Sequence, residues 1–304
     1  MNLEINSINK TYKNNVRANC DITISFKSGE IVALIGHNGA GKTTLLNQII
    51  GNVRPDGGDI IFEGKSLIKN SKFARQNISM MTQLHAPLTG VTVSGAVKSI
   101  LRIRGIKGNE ADNYTDKILL DLDIDKYKNI SGDKLSGGLR RLTSFAMATA
   151  MPQKIILLDE PTNDVDPTRR KLIWRYLKNL ASNGHIVIIV THNLLEVEQY
   201  ADRYVMLDKG KVIKDGATGA EDNSTSTLII YTDNKDILDN FNFPKILEKK
   251  YNEKDGEISM ILDRDEIINC INLTLEMIKD KKISSYRLIP SSLETVYGDM
   301  INEK

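Results

Sequence analysis

Glu30-Ile31-Val32-Ala33-Leu34-Ile35-Gly36-His37-Asn38-Gly39-Ala40-Gly41-Lys42-Thr43-Thr44-Leu45-Leu46 is the stretch whose reading decides the fold. The apolar run 31–35 reads as a buried strand, a glycine-rich turn ends it, and a leucine-bearing helix follows. Residues 36–43 match G-x-x-x-x-G-K-[ST], the phosphate-binding P-loop, in the strand–loop–helix context that the motif needs. Gly36, Gly39 and Gly41 let the backbone curl so that consecutive N–H groups point at phosphate oxygens. Asn38, Ala40 and Thr44 complete the set of loop residues expected to bind the nucleotide. The helix adds the positive end of its dipole. Lys42 can reach the β- and γ-phosphates, and the Thr43 hydroxyl can ligate Mg²⁺. The stretch predicts binding of a nucleoside triphosphate.

Length and composition bound the rest. The chain has 304 residues, enough for one large domain and a smaller one. With 40% hydrophobic and 26% charged residues it is ordinary for a soluble globular protein. A formal net charge of +2 gives no reason to expect nucleic acid as a partner. Cys20 and Cys270 lie far apart, match no metal spacing and read as buried thiols in a reducing compartment. The opening Met1-Asn2-Leu3-Glu4 has no apolar signal region, and no apolar run of about 18 residues occurs that could span a bilayer. A cytoplasmic chain, soluble or peripheral on a membrane, is expected.

Upstream of the loop, Leu3, Ile5 and Ile8 alternate with polar residues, and Ile22, Ile24 and Phe26 alternate again. Tyr12, in the polar loop between these strands, offers a flat surface on which a purine could stack. Downstream, short strands are expected over 59–62 and 78–83, the latter ending at Gln83. From 91 to about 130 the spacing turns helical, with Val93, Val97, Ile100 and Leu101 on one stripe and Ile118, Leu119 and Leu122 on another. Residues 134–141 read as a polar turn containing Leu135-Ser136-Gly137-Gly138, with a helix from 142 to about 150.

Residues 155–160, Ile-Ile-Leu-Leu-Asp-Glu, form an apolar strand ending in two carboxylates. Apolar strands occupy the centre of parallel sheets, and ligand sites form at their carboxyl ends. Asp159 can hold Mg²⁺ opposite Thr43, and Glu160 can take a proton from an attacking water. A helix is expected over 169–180. A third buried strand, 186–190, closes on Thr191-His192, so His192 is expected to contact phosphate. A hairpin around Lys209-Gly210 ends this part.

Tyr12, the P-loop, Gln83, Leu135–Gly138, the Asp159-Glu160 strand end, 163–166 and His192 occur together in one order. In this the chain resembles the ATP-binding-cassette ATPase family over roughly residues 1–215. The resemblance implies an α/β P-loop NTPase fold with a RecA-like core. It also implies an N-terminal antiparallel β subdomain and an α-helical signature subdomain over about 88–150. It implies ATP and Mg²⁺ as cofactors and a head-to-tail homodimer, or a paired cassette ATPase, holding two ATP molecules. Ser136, Gly137 and Gly138 would serve the γ-phosphate bound by the opposite protomer. Gln83 would contact Mg²⁺ and relay to a separate transmembrane permease, Asp166 would join the dimer-contact loop, and His192 would hold the γ-phosphate. Three positions depart from the family pattern: Leu139 follows the signature glycines where Gln is frequent, Asp164 stands where Gly is frequent, and Met147 where Arg is common. None makes direct phosphate contact, so altered coupling is expected rather than inactivity.

Residues 216–227 read as a Gly/Ser/Thr/Asn-rich linker, and 228–304 as a small α+β domain. Its expected order is β-α-β-β-α-β, which permits a ferredoxin-like fold. A helix over 235–240, a turn at Asp255-Gly256 and a tail helix capped by Ser291 with Glu294 are part of that reading. The tail is similar to the Ser-Leu-Glu-aromatic close of accessory domains in drug- and antibiotic-resistance exporters of the family. The whole reads as the detached ATPase subunit of an exporter of drugs, antibiotics or peptides, peripheral on the inner membrane face through its permease. The rival is a soluble cassette ATPase acting on a macromolecular partner.

Overall fold

In chain order, β1 (Asn2–Thr11) and β2 (Arg17–Lys27) precede β3 (Ile31–Ile35), α1 (Lys42–Ile50), β4 (Gly57–Phe62) and β5 (Lys65–Ser66) in this computed structural model. Then come α2 (Ser71–Asn77), β6 (Ile78–Met81), α3 (Val93–Ile103), α4 (Gly108–Asp121) and α5 (Gly137–Thr149). The first unit closes with β7 (Ile155–Asp159), α6 (Pro167–Ser182), β8 (Ile186–Val190), α7 (Leu194–Tyr200), β9 (Arg203–Asp208) and β10 (Lys211–Ala217). The second holds β11 (Thr225–Tyr231), β12 (Ile246–Asn252), β13 (Glu257–Asp263), α8 (Ile267–Lys279) and β14 (Ser285–Pro290). The structure describes residues 1–13, 15–84, 88–218, 225–232, 237, 246–252, 256–290, 293 and 297–298.

Two sheets share the first unit. One is antiparallel, in the order β2-β1-β4-β5, and the other is six-stranded, β10-β9-β3-β8-β7-β6. Strands β3, β7 and β8 are buried at every residue, as strands covered on both faces must be. They pair in parallel, so the carboxyl ends of β3, β8, β7 and β6 reach one edge of the sheet. Leu3, Ile5 and Ile22 from the antiparallel sheet share one apolar core with Leu34, Leu45, Leu157 and Ile188. That common core holds the P-loop helix between the two sheets. Among the described residues, no helix is long and apolar enough to cross a membrane.

The structure departs from or refines the sequence reading at four points. The stretch 134–141 is not all turn, because α5 already starts at Gly137. Ser136 caps it, its Oγ accepting the Leu139 N–H at 3.4 Å. Strand β6 ends at Met81, which leaves Gln83 in an exposed bend beyond it. The helical stretch 91–130 breaks into α3 and α4, because the chain turns at Gly105, where φ is +91°. The sequence analysis also omits α2 and α7, each only seven residues long and half polar.

The chain divides into two compact units, Met1–Gly216 and Ala217–Lys304. Strand β10 runs to Ala217 and β11 begins at Thr225, so the expected linker, 216–227, loses residues to strands at both ends. In the second unit the sheet order is β12-β13-β11-β14, every neighbour antiparallel. That is the order a β-α-β-β-α-β chain takes when each helical crossover skips a strand. The helix expected over 235–240 lies, but for Ile237, outside the described residues, as do Asp255, Ser291 and Glu294. Alternating burial along β11 and β13 gives the sheet one apolar face. That face joins Cys270 and Met277 of α8 in a separate core.

Because each unit has its own core, a chain ending at residue 224 is expected to melt cooperatively and to retain ATP binding. Circular dichroism and titration with a fluorescent ATP analogue check this. Loss of both properties would mean that the first unit needs the second to fold.

Candidate active site

Lys42, Thr43 and the loop before them follow β3 directly, while Asp159 ends β7, Glu160 comes next and His192 lies just past β8. Neighbouring parallel strands thus deliver all of these side chains to one sheet edge. A cleft of about 420 Å³ opens there. It is lined from the loop side by Asn38, Gly39, Gly41, Lys42, Thr43 and Thr44. Tyr12 and Gln83 line its rim, and Asp159 and Glu160 its floor.

The loop is held by backbone geometry. Gly41 precedes α1 at φ +100°, and a side chain there would sit 2.1 Å from the Ala18 carbonyl oxygen. Glycine is required on both counts. Ala40 is fully buried, its carbonyl accepting the Gly210 N–H at 3.2 Å, so it packs under the loop. Gly36 lies against the Leu207 carbonyl. The Lys42 ammonium donates to the Gly36 carbonyl at 2.6 Å and the His37 carbonyl at 2.9 Å, bracing the loop from within. Lys42 is only 8% exposed. Burial pulls its pKa down, and the carboxylates of Glu160 and Asp159 oppose that. The Tyr12 hydroxyl lies 3.5 Å from Thr44 Oγ1, leaving the ring half-exposed at the mouth.

On the floor, Thr43 Oγ1 donates to Asp159 Oδ2 at 3.2 Å. Burial pushes the Asp159 carboxyl up, Glu160 beside it adds to this, and the Thr43 hydrogen bond and Lys42 work against it. Glu160 adopts a left-handed φ of +53°, unusual for a residue with a side chain and a form of strain that gathers at functional sites. Its N–H donates to the Val190 carbonyl at 2.8 Å, tying β7 to β8. Glu160 Oε1 accepts from His192 Nδ1 at 2.9 Å. The carboxylate is largely buried while the imidazole is 65% exposed, so His192 presents its far side to solvent. Thr43, Asp159 and the Gln83 amide are oxygen donors, the hard set that suits Mg²⁺, and the short Thr43–Asp159 spacing fits one small ion.

Ser136, Gly137 and Gly138 are not among the residues lining this cleft. They form the start of α5, and Gly138 packs against the loop after Glu160. A Cβ on Gly138 would meet the Asp164 carbonyl oxygen at 2.3 Å, whereas one on Gly137 would find its nearest atom 3.9 Å away. Asp164, one of the departures, has φ +58°. This left-handed position favours glycine and is tolerated by Asp, so the substitution keeps the loop's shape and adds a charge.

Sequence reasoning missed Arg141. It is 4% exposed and its Nη1 donates to the Gln83 carbonyl at 2.6 Å, which ties α5 to the Gln83 bend. Burial lowers its pKa, and the carboxylates of Asp164, Glu160 and Asp159 oppose that. Arg140 and Arg141 close the stretch 134–141 that reads as a polar turn. The available signal was helical phase, since Arg141 shares a stripe with buried Phe145 and Ala148.

A family model described as ABC transporter matches residues 20–163. The Nod factor export ATP-binding protein I of Burkholderia orbicola (strain AU 1054) is 30% identical over 218 residues, which is 72% of this chain and 71% of that protein. The cholesterol transporter ABCA5 of Homo sapiens is 34% identical over 213 residues, 68% of this chain but 13% of that protein. The chain spans 8 to 13% of the length of the mammalian ABCA proteins that it matches. Among solved structures, the dimeric structure of MJ0796, a bacterial ABC transporter cassette, is similar with a TM-score of 0.65 at 26% identity. The similarity covers 71% of this chain and 98% of that one.

Proposed function

The chain belongs to the ABC transporter family, and from that premise we propose that it is the ATP-hydrolysing subunit of an exporter. It closes with a second copy of itself around two ATP molecules and drives a separate transmembrane permease from the cytoplasmic face of the membrane. The observation that carries this reading is one cleft that joins the P-loop, the Thr43–Asp159 pair and Glu160, with His192 hydrogen-bonded to Glu160 from outside its lining.

In this reading the loop amides and Lys42 bind the triphosphate, and Tyr12 stacks on the adenine. Thr43, Asp159 and Gln83 hold Mg²⁺, which, when bound, offsets phosphate charge. Glu160 accepts the proton of the attacking water, and His192 orients the Glu160 carboxylate and reaches the γ-phosphate from its exposed side. Ser136, Gly137 and Gly138 meet the phosphate held by the other protomer. The export direction is supported by the Nod factor export protein among the relatives. Cargo selection belongs to the permease, with drugs, antibiotics or peptides as the expected class.

Affinity purification from detergent-solubilised native membranes tests the assignment. A multispanning membrane protein is expected at a fixed ratio to this chain, and its addition should stimulate the chain's ATP turnover. Recovery with ribosomes or DNA and with no membrane protein would overturn the transport assignment in favour of a soluble ATPase.

A further inference from the structure

The Glu160–His192 pair joins two loops from different strands, and a single arginine behind the cleft touches the supports of both. Arg170 lies in the first turn of α6, where its Nε donates to the Val165 carbonyl at 2.7 Å, in the loop that follows Glu160. Its Nη1 donates to Glu196 Oε1 at 3.2 Å, on the helix that follows His192. Glu196 is 8% exposed, and its other oxygen accepts the Trp174 Nε1–H at 2.9 Å. Trp174 is fully buried and stacks on Tyr200 with ring centroids 5.4 Å apart. Asn193, next to His192, caps α7 by accepting the Glu196 N–H at 3.2 Å. The contacts therefore close a ring: Glu160, its loop to Val165, Arg170, Glu196, α7, and His192 back to Glu160. The rigid fork of N–H groups on the guanidinium lets one Arg170 rotamer donate along both directions.

We propose that Arg170 is a positioning residue that holds Glu160 and His192 in register by clamping the 160–165 loop to α7. It does not line the cleft, and its effect on hydrolysis passes through His192. The proposal rests on the ATPase reading only for its kinetic consequence. Arg170→Met should lower kcat at least about tenfold, because loss of register between base and partner is costly, while the nucleotide Kd stays within about twofold. In a His192→Ala background the same substitution should cost almost nothing further. Independently of turnover, amide exchange at Val165 and Val197 should accelerate together in Arg170→Met. Both amides are hydrogen-bonded, Val165 to the Thr162 carbonyl in the loop and Val197 to the Asn193 carbonyl in the first turn of α7.

Glu196→Gln, which keeps an acceptor for Trp174 and removes the ion pair, should reproduce the kinetic and exchange changes. It decides the question if Arg170→Met does not fold. Unchanged kcat with unchanged exchange in a folded variant would overturn the clamp. So would losses that multiply with His192→Ala, or exchange that rises at only one of the two amides. A wild-type chain without turnover would defeat the ATPase reading, and the exchange measurement would still judge the clamp.

Discussion

Glu160→Gln is expected to abolish nearly all ATP turnover, by about 10²–10⁴-fold, while ATP binding survives. The substitution is isosteric and spares the backbone bond from Glu160 N–H to the Val190 carbonyl. It also spares the left-handed φ, which a glutamine adopts at the same cost. Only the basic oxygen facing the cleft is lost. Lys42 and the loop carbonyls that brace it are untouched, so nucleotide affinity has no reason to fall. Turnover at saturating ATP and Mg²⁺ is measured beside a filter-binding assay. The variant should accumulate as an ATP-bound dimer by size exclusion. Near-normal turnover would remove Glu160 from the base role and leave it as the anchor for His192.

The second large effect concerns composite sites. If the start of α5 completes a site whose P-loop belongs to the other protomer, two differently damaged chains should rescue one another. Lys42→Ala removes the ammonium proposed to bind phosphate. The matching lesion must not disturb its own chain, which rules out Gly138, because any side chain there meets the Asp164 carbonyl oxygen at 2.3 Å. Gly137→Asp is the milder choice. Its Cβ has room, the nearest atom being Asp164 Cβ 3.9 Å off, and the helix dipole in the first turn of α5 offsets the repulsion from the Asp164 carboxylate. Against a desolvated γ-phosphate the same carboxylate costs several kcal/mol.

Each homodimer should be nearly inactive. Mixed one-to-one, the chains should recover about a quarter of wild-type turnover, since half of the dimers are mixed and each of these has one undamaged site. No recovery in verified mixed dimers that bind ATP would mean that both sites fire together or that α5 serves its own chain. A chain carrying both lesions, paired with wild type, separates the two. Substantial activity in that pair would end the reading in which α5 acts across the dimer.

Much of the site was legible because its chemistry is local. The P-loop needs a strand, eight consecutive residues and a helix, so Gly36–Thr43 could be read without any distant contact. The buried strands β3, β7 and β8 could be read because both faces are covered, which leaves an apolar run with no alternation. Asp159, Glu160 and His192 stand out as polar residues where such runs stop. Short elements were less legible. Helices α2 and α7 are too brief to show a periodic stripe, although each is capped by an asparagine, Asn70 and Asn193. The signature stretch misled in the other direction. Two glycines look like a turn, yet Ser136 caps a helix there, and Gly138 is small because the Asp164 backbone lies against it.

By itself the sequence determined which residues could carry the proposed chemistry. Phosphate binding, metal ligation and base catalysis each depend on residue types at fixed short spacing, and that spacing survives in one dimension. The tertiary structure decided which polar residues support that chemistry. Arg141 is buried and Arg140 only half-buried because α5 begins at Gly137, which sets the phase of every later side chain. Arg170 meets Glu196, 26 positions away, because α6 and α7 pack together behind the cleft. Lys42 turns back on its own loop because the Gly36 and His37 carbonyls curl toward it. A buried charge needs a partner, and only the packed fold brings residues distant in the chain close enough to supply one.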